Sequence, residues 1–224
     1  MRQVLGKRNV IPKRRFNRDI ITTFTVTSET LHHKGGVFKM KTLKNYFPRL
    51  DTKQVALLGL LAALLLILSR FTFGPDWLKF GFSFIASGLI AKWYGPIWGA
   101  FVAFICDFIG ATILTSGQPY FPGFALSAIV GALIYGFSFY NRDHLSWTRV
   151  IVTTAIVLVV VNLCLNTIWV ITLQNAWHNS GMLKTMVSTR ALKQLVFWPI
   201  QSILLYVILN NKQLDRLRAD IFAR

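Results

Sequence analysis

The sequence predicts an all-α membrane protein, a compact bundle of six transmembrane helices with both termini cytoplasmic. Three observations carry this reading. Of the 224 residues, 54% are hydrophobic and only 15% charged, with a mean hydropathy of +0.49. Those values lie outside the soluble globular range. The apolar residues gather into runs of about 20, the length that crosses a roughly 30 Å hydrocarbon core. The basic residues gather elsewhere: 13 of the 25 Lys and Arg, against 3 of the 8 Asp and Glu, fall within residues 1–53. A basic segment beside a first span is what the anionic cytoplasmic leaflet attracts. The formal charge of +17 therefore does not argue for nucleic-acid binding.

Residues 1–50 read as a basic N-terminal extension without a fold of its own. Within it, "MKTLKNYFPRLDTKQ", starting at Met40, itself reads like a natural N-terminus. Six spans follow, at 54–73, 78–94, 95–114, 122–140, 149–173 and 184–210. Only "YGPIWG" separates the second from the third, with Gly95-Pro96 as the turn signal. The sixth contains Trp198-Pro199, which predicts a kink. Residues 51–211 thus form one membrane domain, followed by a basic cytoplasmic tail over 212–224. Six spans leave both termini on one side. Loops there carry Lys92, Arg142 and Arg149, and opposite loops carry Lys79 and Lys184. With the basic head, this places both termini in the cytoplasm. "SGQPYFPGFALSA", residues 116–128, then lies at the outer face. Cys106 and Cys164 both fall inside apolar runs, which does not indicate a disulfide framework.

Polar side chains at membrane depth are costly unless they face the bundle or a wet cavity, so each is a functional candidate. Asn162, Asn166 and Trp169 are spaced i, i+4, i+7 in the fifth span, one face of a helix. Two carboxamides suit a flat heterocycle whose edge alternates donors and acceptors, and the indole adds a stacking surface. The competing use of intramembrane asparagine is interhelical bonding. In the sixth span Arg190, Lys193 and Gln194 form a stripe at i, i+3, i+4 with no acidic neighbour, so an anionic ligand would supply the partner. Arg70 ends the first span at the same outer level, where snorkelling also explains a basic residue. By helical rise, Asn166 lies about 10 Å and Asn162 about 16 Å below the outer end of their span. These groups and the Tyr120-Phe121-Pro122-Gly123-Phe124 turn converge on the outer half, which predicts an outward-facing pocket. Pro122 and Gly123 narrow the turn, so that Tyr120, Phe121 and Phe124 cap the pocket instead of forming only an interfacial belt.

Asp107 is the one acidic residue deep in a span, open to a proton-relay or a helix-packing role. Gly59 and Ala63 give the first span a small-xxx-small surface where another membrane helix can approach closely. The chain contains no phosphate-binding loop of the G-x-x-x-x-G-K-[ST] type, no H-E-x-x-H, no G-x-S-x-G and no intramembrane aspartate pair. His32, His33, His144 and His178 lie in the head or in loops, without metal-ligand spacing. The sequence therefore predicts a binding protein and not an enzyme, with no metal and no cofactor.

Residues 50–210 resemble the substrate-binding S component of energy-coupling factor (ECF) vitamin transporters, most closely the folate-specific branch. The resemblance rests on the six-span layout, on "SGQPYFPGFALSAIVGALIYG", on "LNTIWV", and on "TRALKQL" followed by "PIQ". It implies a plasma-membrane protein that binds its vitamin from outside and docks on a transmembrane coupling protein carried by two cytoplasmic ATPases. Toppling in the bilayer then delivers the vitamin inward. Family members meet the coupling protein through an Ala-x-x-x-Ala surface on the first helix, roles that fall here to Gly59 and Ala63. For folate, Asn162 and Asn166 are expected to read the pterin edge and Trp169 with the turn aromatics to sandwich rings. Arg70, Arg190 or Lys193 would meet carboxylates, beside Gln194. The alternatives are an S component for riboflavin, thiamin or pantothenate, a solitary proton-coupled transporter using Asp107, and a structural membrane protein.

Overall fold

In the computed structural model, which describes residues 49–73, 80–114, 120–178 and 180–222, five helical runs are long and apolar enough to cross a bilayer. The first, α1 (Thr52–Arg70), begins at a capping box in which Gln54 Oε1 accepts the Asp51 backbone N–H at 3.1 Å. Helix α2 covers Ser83–Thr112 and α3 covers Pro122–Phe139, with Pro122 in its first turn, where no intrahelical N–H is needed. The fourth run joins α4 (Trp147–Val157), a π-helical segment (Leu158–Leu165) and α5 (Asn166–Leu173). The fifth, α6, runs Ser180–Leu209, and a short amphipathic α7 (Lys212–Phe222) follows it. Two-residue strands, β1 (Thr72–Phe73) and β2 (Phe80–Gly81), pair antiparallel between α1 and α2. The basic head up to residue 48, Lys79 and the 116–119 part of the turn lie outside the described residues.

The apolar runs read from the sequence match these helices to within a few residues. The second and third runs are joined in α2, but Gly95 breaks its backbone with φ 85° and ψ −174°. Only glycine adopts this conformation readily. A Cβ on Gly99 would sit 4.0 Å from Ile90 Cγ2, although nine residues of straight helix span about 13 Å. The axis therefore folds back at Gly95-Pro96. The turn packs into α3, whose Gly136 sits directly on Pro96, and Tyr140 covers Gly95. Any side chain at Gly136 would overlap the proline. At Pro199, where the sequence predicts a kink, α6 is one continuous helix.

Leu57, Leu61 and Leu65 of α1 form the core with Leu89, Ile90 and Trp93 of α2 and Leu205 and Leu209 of α6. At Gly88 the α2 backbone approaches α6 so closely that a Cβ would lie 2.7 Å from Leu205 Cδ2. Leu60, Phe101, Phe137, Val159 and Leu195 point outward, the surface expected of helices that face hydrocarbon.

Lys92, read from the sequence as a loop cation, is instead 1% exposed within α2. Its ammonium donates to the Leu209 carbonyl and, at 2.7 Å, to Asp215 Oδ1 of α7. Nearby, Tyr94 donates to the Gln54 carbonyl at 2.7 Å and packs edge-on to Phe222 of α7. Arg218 approaches Asp143 at 3.6 Å. The region expected to be only a basic tail is thus a helix tied to this end of the bundle.

Candidate functional site

A cavity of about 690 Å³ opens among α1, α2, α3, the π segment and α6. Small side chains create it. Ala103, Gly110 and Ala111 of α2 face Ser127, Ala128, Gly131 and Ala132 of α3 across the space. Larger residues there would fill the gap, as close-packed interiors otherwise do. Phe84, Phe124, Tyr135 and Phe197 supply flat apolar wall, with Phe84 and Phe197 edge-to-face at 5.9 Å.

Of the residues singled out from the sequence, Arg70, Phe124, Asn162, Asn166, Arg190, Lys193 and Gln194 line this one cavity. Arg70 is held at its rim by donating to the Gly110 carbonyl at 2.5 Å. Arg190 and Lys193 are half-buried on α6 and make no ion pair among the described residues. Asn166 Nδ2 donates to Asn162 Oδ1 at 3.3 Å, which leaves the Asn166 Oδ1 buried without a partner. The i, i+4 expectation for these two amides holds even though Asn162 sits in the π segment. Such segments recur at functional sites because the widened turn re-aims side chains.

Trp169, Tyr120, Phe121, Pro122 and Gly123 are not in the cavity wall. They form a layer behind it. Phe121 packs on Phe124 at 5.9 Å and on Trp169 at 5.8 Å between ring centroids. A Cβ on Gly123 would collide with Phe121 and lie 2.6 Å from Trp169 Cδ2. Glycine at 123 thus lets the helix start press onto the two rings. Trp169 Nε1 also donates to Ser127 Oγ at 3.0 Å, and Ser127 does face the cavity. Tyr120 packs against Phe108 at 5.3 Å, and burial together with the negative charge of Asp107 raises its phenol above the ordinary tyrosine value.

Polar wall residues that escaped the sequence reading include Ser127, Tyr135 and Gln201. Gln201 Nε2 donates to the Tyr135 hydroxyl at 2.9 Å, so the tyrosine proton remains available to a ligand. Gln201 continues the stripe of Arg190, Lys193, Gln194 and Phe197 at helical spacing, a signal that could have found it. Asp107 also lines the cavity, with Oδ2 buried and unpartnered. No cluster of three or more His, Cys, Asp or Glu suited to a metal occurs among the described residues. Gly59 and Ala63 lie on an exposed face of α1, and nothing comes within 4 Å of a Cβ placed on Gly59.

Comparison with known proteins agrees with this architecture. The profile of the ECF transporter substrate-specific component family matches residues 53–209. A curated relative described as "Folate transporter FolT", from Leuconostoc mesenteroides subsp. mesenteroides, is 40% identical over 177 residues. The match covers 79% of this chain and 95% of the relative. A second protein of the same description, from Clostridium novyi (strain NT), is 38% identical over 129 residues, 58% of this chain and 71% of its own length. A solved structure titled "Crystal structure of FolT bound with folic acid" aligns with a TM-score of 0.61 at 32% identity, covering 72% of this chain and 94% of that one. On the extent of these matches, the chain belongs to the family of substrate-specific components of ECF transporters.

Proposed function

We propose that this protein is a folate-specific S component, a non-catalytic plasma-membrane subunit that captures folate from outside and delivers it inward on an ECF module. The observation that carries the reading is the composition of this cavity. Its volume fits a drug-sized ligand. Arg70, Arg190 and Lys193 against Asp107 leave it a formal excess of two positive charges, the complement of folate's two carboxylates. Its amides and aromatic walls suit the pterin and benzoyl rings. The relatives described as folate transporters, and the related structure holding folic acid, support the same ligand. In this reading Arg190 and Lys193 meet carboxylates, Arg70 guards the rim, and Asn162, Asn166 and Gln194 bond polar edges. The Phe121–Phe124–Trp169 layer keeps the wall rigid.

The chain is further proposed to cross the membrane six times. The reversal at Gly95 supports counting α2 as two short crossings. The basic head and tail support cytoplasmic termini, with the cavity then opening outward. The exposed Gly59–Ala63 face is the proposed seat for the coupling protein, whose two ATPases supply the energy. Mass spectrometry of small molecules released from the purified protein tests the ligand assignment. A folate is the expected product, and another vitamin recovered stoichiometrically overturns it.

A further inference from the structure

Where α6 ends and α7 begins, two acids are paired and two nearby cations are left over. Asp215 faces the Lys92 ammonium, and Asp143 faces Arg218. Arg142 and Lys212, exposed and close to these acids in the chain, form no ion pair among the described residues. The loop that carries Arg142 is held in place. Asn210 accepts the Leu145 backbone N–H at 2.9 Å and donates to the Leu145 carbonyl at 3.0 Å. This clasp brings the loop to the junction of α6 and α7, so Arg142 and Lys212 flank one place. Next to it lies an aromatic layer: Trp147 packs edge-on to Tyr206 at 4.9 Å, and His144 meets the same ring at 6.5 Å. Beyond the layer α4 and α6 run side by side, joined where Trp198 Nε1 donates to the Ile151 carbonyl at 3.1 Å. Val152, Ile203 and Val207 point outward there. We propose that this junction binds one anionic phospholipid, at a site separate from the main cavity and independent of its cargo.

The surface repeats, in order, the chemistry of a lipid. Val152, Ile203 and Val207 offer apolar surface to an acyl chain. Trp147 and Tyr206 each combine an apolar ring with a polar tip, the combination that settles at the level of the glycerol esters. Arg142 and Lys212 then meet the phosphate, whose negative charge replaces the partner that the protein does not supply. The Asn210 clasp fixes the loop beforehand, which lowers the ordering cost of binding. An acidic protein surface would match the two cations but would leave the exposed apolar strip and the Trp147 ring unused. A lipid uses all three. The site therefore differs from the diffuse attraction that any basic rim exerts on an anionic leaflet, because it is built at one place and selects one headgroup charge.

Native mass spectrometry of the full chain in detergent tests the site. The protein is incubated with equal amounts of phosphatidylglycerol and phosphatidylcholine carrying the same acyl chains. The wild type is expected to retain one phosphatidylglycerol in preference to phosphatidylcholine by about 5- to 30-fold, the range for one to two cations near a headgroup. Arg142→Gln combined with Lys212→Gln should bring the ratio to within about twofold of unity. Arg49→Gln combined with Lys53→Gln removes as much charge from the start of α1, outside the clasp, and should leave the preference within about twofold of the wild type. Equal losses in the two double variants reduce the effect to diffuse attraction and overturn the proposal. A wild type that retains the two lipids alike overturns it as well. So does an unchanged lipid ratio in Arg142→Gln with Lys212→Gln accompanied by lost co-purification of the ECF module, which assigns the cations to a protein partner. All four substituted residues are exposed, and thermal midpoints equal to the wild type confirm that both variants fold.

Discussion

At the level of single residues, charge and hydrogen-bond capacity divide the cavity into regions with different tasks. Arg190 and Lys193 are half-buried without an anionic partner among the described residues, a costly arrangement that a bound carboxylate relieves. Replacing Lys193 with Met removes one charge-assisted contact and is expected to weaken folate binding about 10- to 100-fold in a calorimetric titration. Stability without ligand should rise or hold, since an unpaired half-buried cation disappears. This opposite movement of affinity and stability marks a binding residue and distinguishes it from a packing residue. Asn166→Ala should cost less, about 10-fold, because one neutral acceptor is lost. Gly123→Ala acts differently. Its methyl meets Trp169 and Phe121, so the expected result is a lower thermal midpoint with weakened binding as a consequence, by about 1–3 kcal/mol of overpacking.

Among the helices, the spans were legible because bilayer thickness dictates run length: four of the six apolar runs became single helical runs within a few residues, and the second and third are joined in α2. The turn at Gly95-Pro96 was legible for the same local reason: positive φ calls for glycine. Three features were not. The π segment at Leu158–Leu165 leaves no mark in hydrophobic spacing. Trp169 was assigned to the pocket by periodicity, yet its ring packs behind Phe121 because the cavity wall is set by tertiary contacts with Ser127. Lys92 was read as a loop cation because no local pattern shows that Asp215, far along the chain, comes back to meet it. That pair yields a prediction for α7. Asp215→Asn removes the negative charge that faces the buried ammonium while keeping an acceptor oxygen, and removal of one charge of a buried pair costs about 3–5 kcal/mol. Asp215 is itself 36% exposed, so the expected loss is smaller, about 1–2 kcal/mol after screening. Lys92→Met combined with Asp215→Asn should recover part of it. Thermal midpoints of the three variants in detergent check this, and a double variant less stable than Asp215→Asn alone would contradict the account.

For the molecule as a whole, the proposed capture and delivery place demands on different surfaces. In that proposal the cavity holds an anion tightly, while the outer face of α1 lets a second protein come close. Gly59 and Ala63 sit on that face with open space before Gly59, and neither lines the cavity. Close helix approach depends on small side chains, because no hydrophobic drive favours one apolar surface over lipid. A bulky residue at Ala63 therefore separates the two tasks. Ala63→Trp points into the surroundings and not into the core, so folding and folate affinity should stay within about twofold of the wild type. Uptake by cells carrying the complete ECF module should fall at least about 10-fold, the minimum expected when a close helix contact worth about 1.4 kcal/mol is lost. The discriminating measurement is labelled-folate uptake set beside binding by the purified variant. Loss of both would mean that Ala63 supports the fold itself, and retention of both would move the docking surface away from this face of α1.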